Sequence, residues 1–168
     1  MSHALRRSTL VLVVLLSAVL FDQATKTVAG LTLAGRRPVQ LLGGVFRLGY
    51  VENPGAFMNL GADLAGPFRF ALFVVFGLLG LAVVLSIALF WRHLATGHAL
   101  ALALLAGGGI SNTIDRVFND GAVVDIVNIG VGSLHTGVFN AADVAIVLGS
   151  ALVVQRMVRG RSRVVART

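Results

Sequence analysis

The run F-N-A-A-D-V-A-I-V-L-G-S-A-L-V-V (139–154) decides how this chain is read. It opens on an amide and an acid, then carries no charge between Asp143 and Arg156. A helix that crosses a bilayer needs about 20 mostly apolar residues. By that measure four segments qualify, at roughly 8–29, 68–91, 97–115 and 138–156. An ionisable group near membrane depth costs roughly 2.5–3.5 kcal/mol on insertion scales, so Asp143 is read as functional by default. The reading is an α-helical membrane protein with four transmembrane helices and a small extracytoplasmic β-sheet formed largely by the 30–67 loop. It is taken as one domain over 1–168, with a basic tail at 157–168.

Composition agrees. The 168 residues are 57% hydrophobic and only 12% charged, with mean hydropathy +0.89. That is too apolar for a soluble domain of this length. The net charge of +7 does not point to nucleic acid, because the arginines cluster at the ends of apolar segments. There is no cysteine, which removes thiol chemistry and disulfides. His3, His93, His98 and His135 are scattered without an H-E-x-x-H pattern, so neither a metal nor a cofactor is expected. The three later histidines are read as surface or interfacial residues.

Arg6 and Arg7 precede the first span, Arg92 lies between spans two and three, and Arg156, Arg159, Arg161, Arg163 and Arg167 follow span four. The excess places both termini in the cytoplasm. Arg36, Arg37 and Arg47 in the 30–67 loop run against it. The first span resembles a signal peptide, but no A-x-A site closes it and Asp22 to Lys26 extend it, so it is read as uncleaved. Val39 to Tyr50 mixes β-branched and aromatic residues around Gly43-Gly44, which predicts short strands and a turn at the outer membrane surface. The tail beyond Arg156 is expected to be mobile and near anionic head groups.

Five stretches carry chemistry. In F-N-A-A-D, Asn140 and Asp143 share a helix face; a helix cap explains them as well as catalysis does. In G-G-G-I-S-N-T-I-D-R (107–116), Asp115 and Arg116 read as local charge balance, and Asn112 as a donor for a carbonyl or carboxylate. Ala103, Gly107 and Ser111, and likewise Ala141, Ala145 and Gly149, are small enough for close helix packing. Asp125 in A-V-V-D-I-V-N-I-G (122–130) stands between apolar neighbours, a setting that favours its protonated form; an ordinary acid on a short strand would look the same. Two carboxylates that meet make a shared-proton pair able to activate water. In D-Q-A-T-K (22–26), Asp22 and Lys26 are four apart in the order that favours an ion pair. E-N-P-G-A-F (52–57) reads as a turn presenting Asn53. Span two, with Trp91 at its end, is read as lipid contact and packing.

Together and in order, these stretches resemble the motifs of the lipoprotein signal peptidases, the bacterial type II signal peptidase family. The resemblance implies an aspartic endopeptidase of the inner membrane. Such an enzyme cleaves the signal peptide from a prolipoprotein immediately before a cysteine carrying a diacylglyceryl group. It implies Asp125 and Asp143 as the catalytic pair. Asn53, Gly55, Asn112, Arg116 and Asn140 match positions of substrate contact or site support, and Asp22, Lys26 and Asp115 match structural ones. The implied partners are the prolipoprotein and membrane lipids, with a monomer expected and the active site toward the periplasm. The chain departs from the family pattern at Ser111, at Ile126 and in an Asn53–Phe57 motif one alanine short, which bears on substrate fit.

Two other classes compete. A rhomboid-like serine protease would use Gly109-Ile110-Ser111, but no histidine on an apolar span activates that serine. A transporter would spread polar residues along a path across the bilayer, whereas here they gather near one face.

Overall fold

The computed structural model describes residues 3–56, 60–91 and 93–165. Side chains are described for 5–56, 60–91 and 93–159, so Phe57, Arg92, Arg161, Arg163, Arg167 and His3 of the sequence reading lie outside the described side chains. Four helices long and apolar enough to cross a membrane cover Leu5–Leu33, Gly66–Phe90, Thr96–Phe118 and Ala141–Arg159. They belong to α1 (His3–Leu33), α2 (Gly66–Phe90), α3 (Thr96–Phe118) and α4 (Ala141–Val165). Within α2, Ala71–Phe76 is wound as a π-helix, a local widening often found beside functional sites.

Half of the α3 span is buried inside the protein, against 11–17% of each of the others. This makes α3 the central helix, packed against α1, α2 and α4. Its sequence explains the position: the face toward its neighbours is alanine, glycine and serine, including buried Ala99, Ala103, Ala106, Gly107 and Ser111. Without a hydrophobic force between helices in lipid, close backbone approach supplies the attraction. The α3–α4 crossing uses Gly149, where an added Cβ would sit 2.7 Å from Leu105 N and 2.8 Å from Ala101 O. Gly107 does the same toward α1, with a Cβ there 2.9 Å from Leu15 O. At the opposite end of the bundle from the sheet, the Arg7 guanidinium donates to the carbonyls of Leu89, Trp91 and Leu94. Leu89 O is one of the last-turn carbonyls that α2 itself leaves unpaired, and Trp91 and Leu94 lie in the connection that follows the helix.

Four antiparallel strands form one sheet in the order β1 (Val39–Leu41), β2 (Phe46–Asn53), β3 (Val123–Val131) and β4 (Leu134–His135). The first two come from the 30–67 loop as expected, and residues 123–135 complete the sheet. Ala29 of α1, Val124 and Ile126 make a small core beneath it. The β2–β3 register runs from Phe46↔Ile129 to Asn53↔Val123, with an irregularity between Leu48 and Val51.

All the span boundaries shift by a few residues from the sequence reading, and the two at the fourth helix have a clear physical reason. The fourth helix starts at Ala141, not 138, because Phe139 bridges to Val127 of β3 and Asn140 caps the helix. Backbone hydrogen bonding to the sheet outcompetes the helix there, although hydropathy is uniform across the boundary. The helix also continues to Val165, through a segment expected as a mobile tail; arginine, glutamine and methionine are good helix formers.

Candidate active site

The C-termini of α1 and α3 pack against the sheet, and the N-termini of α2 and α4 lie at the same end of the bundle. The polar residues singled out in the sequence converge there. Asp125 is buried on β3. Its Oδ1 accepts a hydrogen bond from Asn140 Nδ2 at 2.8 Å, and its Oδ2 accepts one from Asn53 Nδ2 at 3.0 Å. Burial, helped by the negative charge of Asp143, pushes the Asp125 carboxyl up to about 6, against the pull of the Asn53 and Asn140 amides and of Lys26.

Asp143 stands in the first turn of α4. Its Oδ2 accepts from Asn140 N at 3.2 Å, and Asn140 Oδ1 accepts in return from Asp143 N at 2.9 Å. That reciprocal pair is a capping box. The cap does not exhaust the acid, because Asp143 Oδ1 also accepts from Asn112 Nδ2 at 2.9 Å. Capping and placement of a reactive carboxylate are therefore achieved by the same contacts. Asn140 is the joint between the two acids: besides Asp125, its Nδ2 reaches Asn112 Oδ1 and Val124 O, each at 3.1 Å.

Behind this layer lies a buried ionic cluster. Lys26 Nζ sits 2.6 Å from Asp22 Oδ2, 2.8 Å from Asp115 Oδ2 and 2.9 Å from Asn112 Oδ1. Asp22 Oδ1 accepts from Ala142 N and its Oδ2 accepts from Ser111 Oγ, both at 2.8 Å. Asp115 Oδ2 accepts from Val124 N at 3.0 Å. The cluster thus ties α1 and α3 to the strand bearing Asp125 and to the helix bearing Asp143. Buried charges survive only when paired and hydrogen-bonded throughout, and these are.

Gly55 and Arg116 close the front. Asn53 Oδ1 accepts from Gly55 N at 2.9 Å, the bond of an Asx turn. Arg116 donates from its two terminal nitrogens to Gly55 O at 2.8 Å and Asn112 O at 3.2 Å, with its guanidinium 5.2 Å from the centre of the Phe73 ring. Its Nε is buried with no hydrogen-bond partner among the described residues. Arg116 is therefore more than a charge balance for Asp115, which pairs instead with Lys26.

Asn53, Asn112, Arg116, Asp125 and Asp143 all line a cavity of about 930 Å³. Its opposite wall comes from α2, including Phe73, Gly77 and Leu81. Span two is thus more than lipid contact. Sequence reasoning also passed over Gln23, whose Nε2 donates to Asp115 Oδ1 at 2.8 Å and Ser111 Oγ at 3.0 Å. Its signal was present, since Gln23 lies one helical turn before Lys26. His135 lines the cavity mouth while remaining exposed.

A family model for signal peptidase (SPase) II matches residues 14–159. The lipoprotein signal peptidase of Geobacter sulfurreducens is 33% identical over 153 residues, covering 89% of this chain and 92% of its own length. That of Streptomyces coelicolor is 34% identical over 161 residues, covering 92% and 73%. A bacterial membrane enzyme solved by the in meso method at 2.3 Å has the same fold, with a TM-score of 0.77 at 22% identity over 91% of this chain and 90% of that one. With the family model spanning most of the chain and relatives above 30% identity along nearly all of it, the chain belongs to the signal peptidase II family, multi-pass aspartic peptidases of the inner membrane that act on lipoprotein substrates.

Proposed function

We propose that Asp125 and Asp143 are the catalytic pair and that they cleave a prolipoprotein signal peptide immediately before its diacylglyceryl-modified cysteine. The observation that carries this reading is the shared Asn140. One asparagine donates its side-chain amide to Asp125 and its backbone N–H to Asp143, so two carboxylates from different elements face one cavity. A pair of acids held like this works with a single proton between them. The ionised member takes a proton from water as the water oxygen bonds to the scissile carbonyl carbon. The protonated member donates to the carbonyl oxygen. The C–N bond then breaks, with a proton passing to the cysteine amine that leaves. The apparent titration belongs to the pair and not to either acid.

Arg116 and Asn53 are the residues placed to meet the substrate backbone. The Arg116 guanidinium and the Asn53 side chain line the cavity, and fixed donors at a site of developing negative charge lower the barrier in a dry environment. Asp22, Lys26 and Asp115 hold the scaffold. The cavity wall from α2 and α4 is mostly apolar, which suits a substrate that arrives from the bilayer with its acyl chains. The arginines at the N-terminus of α1 and near the end of α4 support cytoplasmic termini, and hence a periplasmic site. The chain acts as a monomer in this proposal, since both acids come from one chain.

The test is separate Asp125→Asn and Asp143→Asn variants assayed on a lipidated prolipoprotein. Each should lose turnover while keeping its helix content by circular dichroism. Near-normal cleavage by either variant removes the dyad assignment. A Ser111→Ala variant that stays active disposes of the serine-protease alternative.

A further inference from the structure

The catalytic cavity has a neighbour on the far side of its wall. A second groove of about 1010 Å³ runs between α1 and α4, with Leu104 of α3 and Ile126 of β3 also lining it. Phe139, Val144 and Leu148 line both spaces. Asn140, the joint between the two acids, lines the groove as well. The network that holds Asp125 and Asp143 therefore has the cavity in front of it and this groove behind.

The groove is lined mostly by apolar side chains, and most of its polar groups are already spent. Thr25 and Thr32 donate their hydroxyls to Asp22 O and Val28 O within α1, at 2.7 Å each. The Asn140 amide is taken up by Asn112, Val124 and Asp125. A polar ligand would find few partners here, whereas a hydrocarbon chain needs none. The lining runs along α1 from Val13 to Leu33, about 30 Å at 1.5 Å per residue. Such a length makes an elongated slot instead of a compact pocket. Its rim is bulky: Val13 is 54% exposed, Phe21 64%, Val28 59% and Leu148 51%. Helices dock in a bilayer through small residues that let backbones approach. This rim holds a second helix off, while a flexible chain passes between its side chains. The rim residues belong to the spans Leu5–Leu33 and Ala141–Arg159, so the groove opens onto the lipid-facing surface of the bundle.

We propose that this groove is a binding site for one acyl chain of a bilayer phospholipid, which lies against Leu104, Ala145 and Phe139 and backs the wall that carries Asn140. An empty groove would leave these side chains without partner atoms on one side, and packing is the attraction that operates between groups inside a bilayer. The inference goes beyond the peptidase reading and does not depend on it. Its consequence is that a lipid, and not only the chain's own side chains, supports the segment joining the two acids.

The test uses fluorescence. Trp91 is the one tryptophan of the chain, and Trp91→Phe clears the background. In that full-length chain, Leu104→Trp puts a reporter on the groove floor, and Leu20→Trp puts one on the open lipid face, where Leu20 is 68% exposed. Each is reconstituted, without substrate, in phosphatidylethanolamine–phosphatidylglycerol bilayers whose acyl chains carry bromine, a contact quencher. Both reporters should be quenched to a similar extent. Adding Ser17→Phe, which fills the groove, should cut quenching of the Leu104→Trp reporter severalfold. An unquenched Leu104→Trp reporter means that the groove is empty or covered by protein, and overturns the proposal. Relief of quenching by a lipidated precursor with unbrominated chains assigns the groove to substrate, which also overturns it. A second measurement needs no reporter. Phospholipid added to the delipidated chain in detergent should raise its melting temperature, as a ligand of the folded state does, and should do so much less in Ser17→Phe. An equal rise in both, or none in the native chain, overturns the proposal.

Discussion

Lys26 Nζ lies 2.9 Å from Asn112 Oδ1, and that contact decides which way the Asn112 amide faces. An ammonium has donors and no acceptor, so only the oxygen of Asn112 can meet it. The Asn112 NH2 group must then face the other way, where Asp143 Oδ1 receives it at 2.9 Å. A lysine on α1 thereby sets a hydrogen bond to an acid on α4 that it does not touch. Replacing Asn112 with alanine removes that donor while leaving Lys26 its two carboxylates. We expect kcat to fall on the order of 100-fold, the scale of one lost positioning or charge-stabilising contact, with KM little changed. Steady-state kinetics on a lipidated precursor separates the two, and a rise in KM alone would contradict it.

The pH profile follows from Asp125, whose carboxyl is pushed up to about 6 from an ordinary 3.8. The proton that the pair needs is present below that value and lost as pH rises through it. The free-enzyme kcat/KM should therefore show a descending limb with an apparent midpoint near 6. Asn53→Ala removes an N–H that favours the charged form, so the limb should move to higher pH. A limb that stays in place or moves down would show that Asn53 does not act on this acid.

The same shift bears on stability. The folded protein binds the Asp125 proton more tightly than the unfolded chain, so this group's contribution is fully present below about 4 and is lost as pH rises through about 6. The expected loss is on the order of 3 kcal/mol. Thermal denaturation in detergent at pH 4, 5, 6 and 7 measures it for the native chain, and Asp125→Ala should flatten the dependence.

Asp115→Asn tests the scaffold. Asp115 accepts bonds from Gln23 and Val124 N and faces Lys26, so an amide there turns an N–H toward another donor. It also leaves Lys26 with only Asp22. Breaking a buried pair costs roughly 3–5 kcal/mol. The variant should melt at lower temperature while each folded molecule keeps most of its turnover. A well-folded but inactive Asp115→Asn would move Asp115 into the catalytic machinery.

Gly149→Val tests the α3–α4 crossing. The added atoms would collide with the Ala101 and Leu105 backbone, and backbone cannot rotate away as a side chain does. Overpacking of this kind costs about 1–3 kcal/mol or more. Because α4 carries Asp143 at its start, activity should fall with stability, and Gly149→Ala should fall between the two in both melting temperature and turnover.

The sequence by itself determined the membrane class, the four spans and the identity of the polar residues, because hydropathy and helical spacing are local. Asp22 and Lys26, four residues apart in D-Q-A-T-K, are paired as that spacing predicts. Ala103, Gly107 and Ser111 announced a tightly packed helix, and α3 is that helix. What only the tertiary structure decided is non-local. No local pattern joins Asn53 to Asp125, 72 residues away, or couples the Ala142 N–H to Asp22, 120 residues away. The second half of the sheet was left open for a related reason: V-V-D-I-V-N-I-G gains its strand partner from residues 46–53, and an apolar run without its partner reads equally as loop or strand. The start of α4 was misplaced because sheet pairing at Phe139, which hydropathy does not register, ends the helix at its cap. Composition selects the solvent in which a chain folds, but hydrogen bonds between distant segments select which of its acids meet.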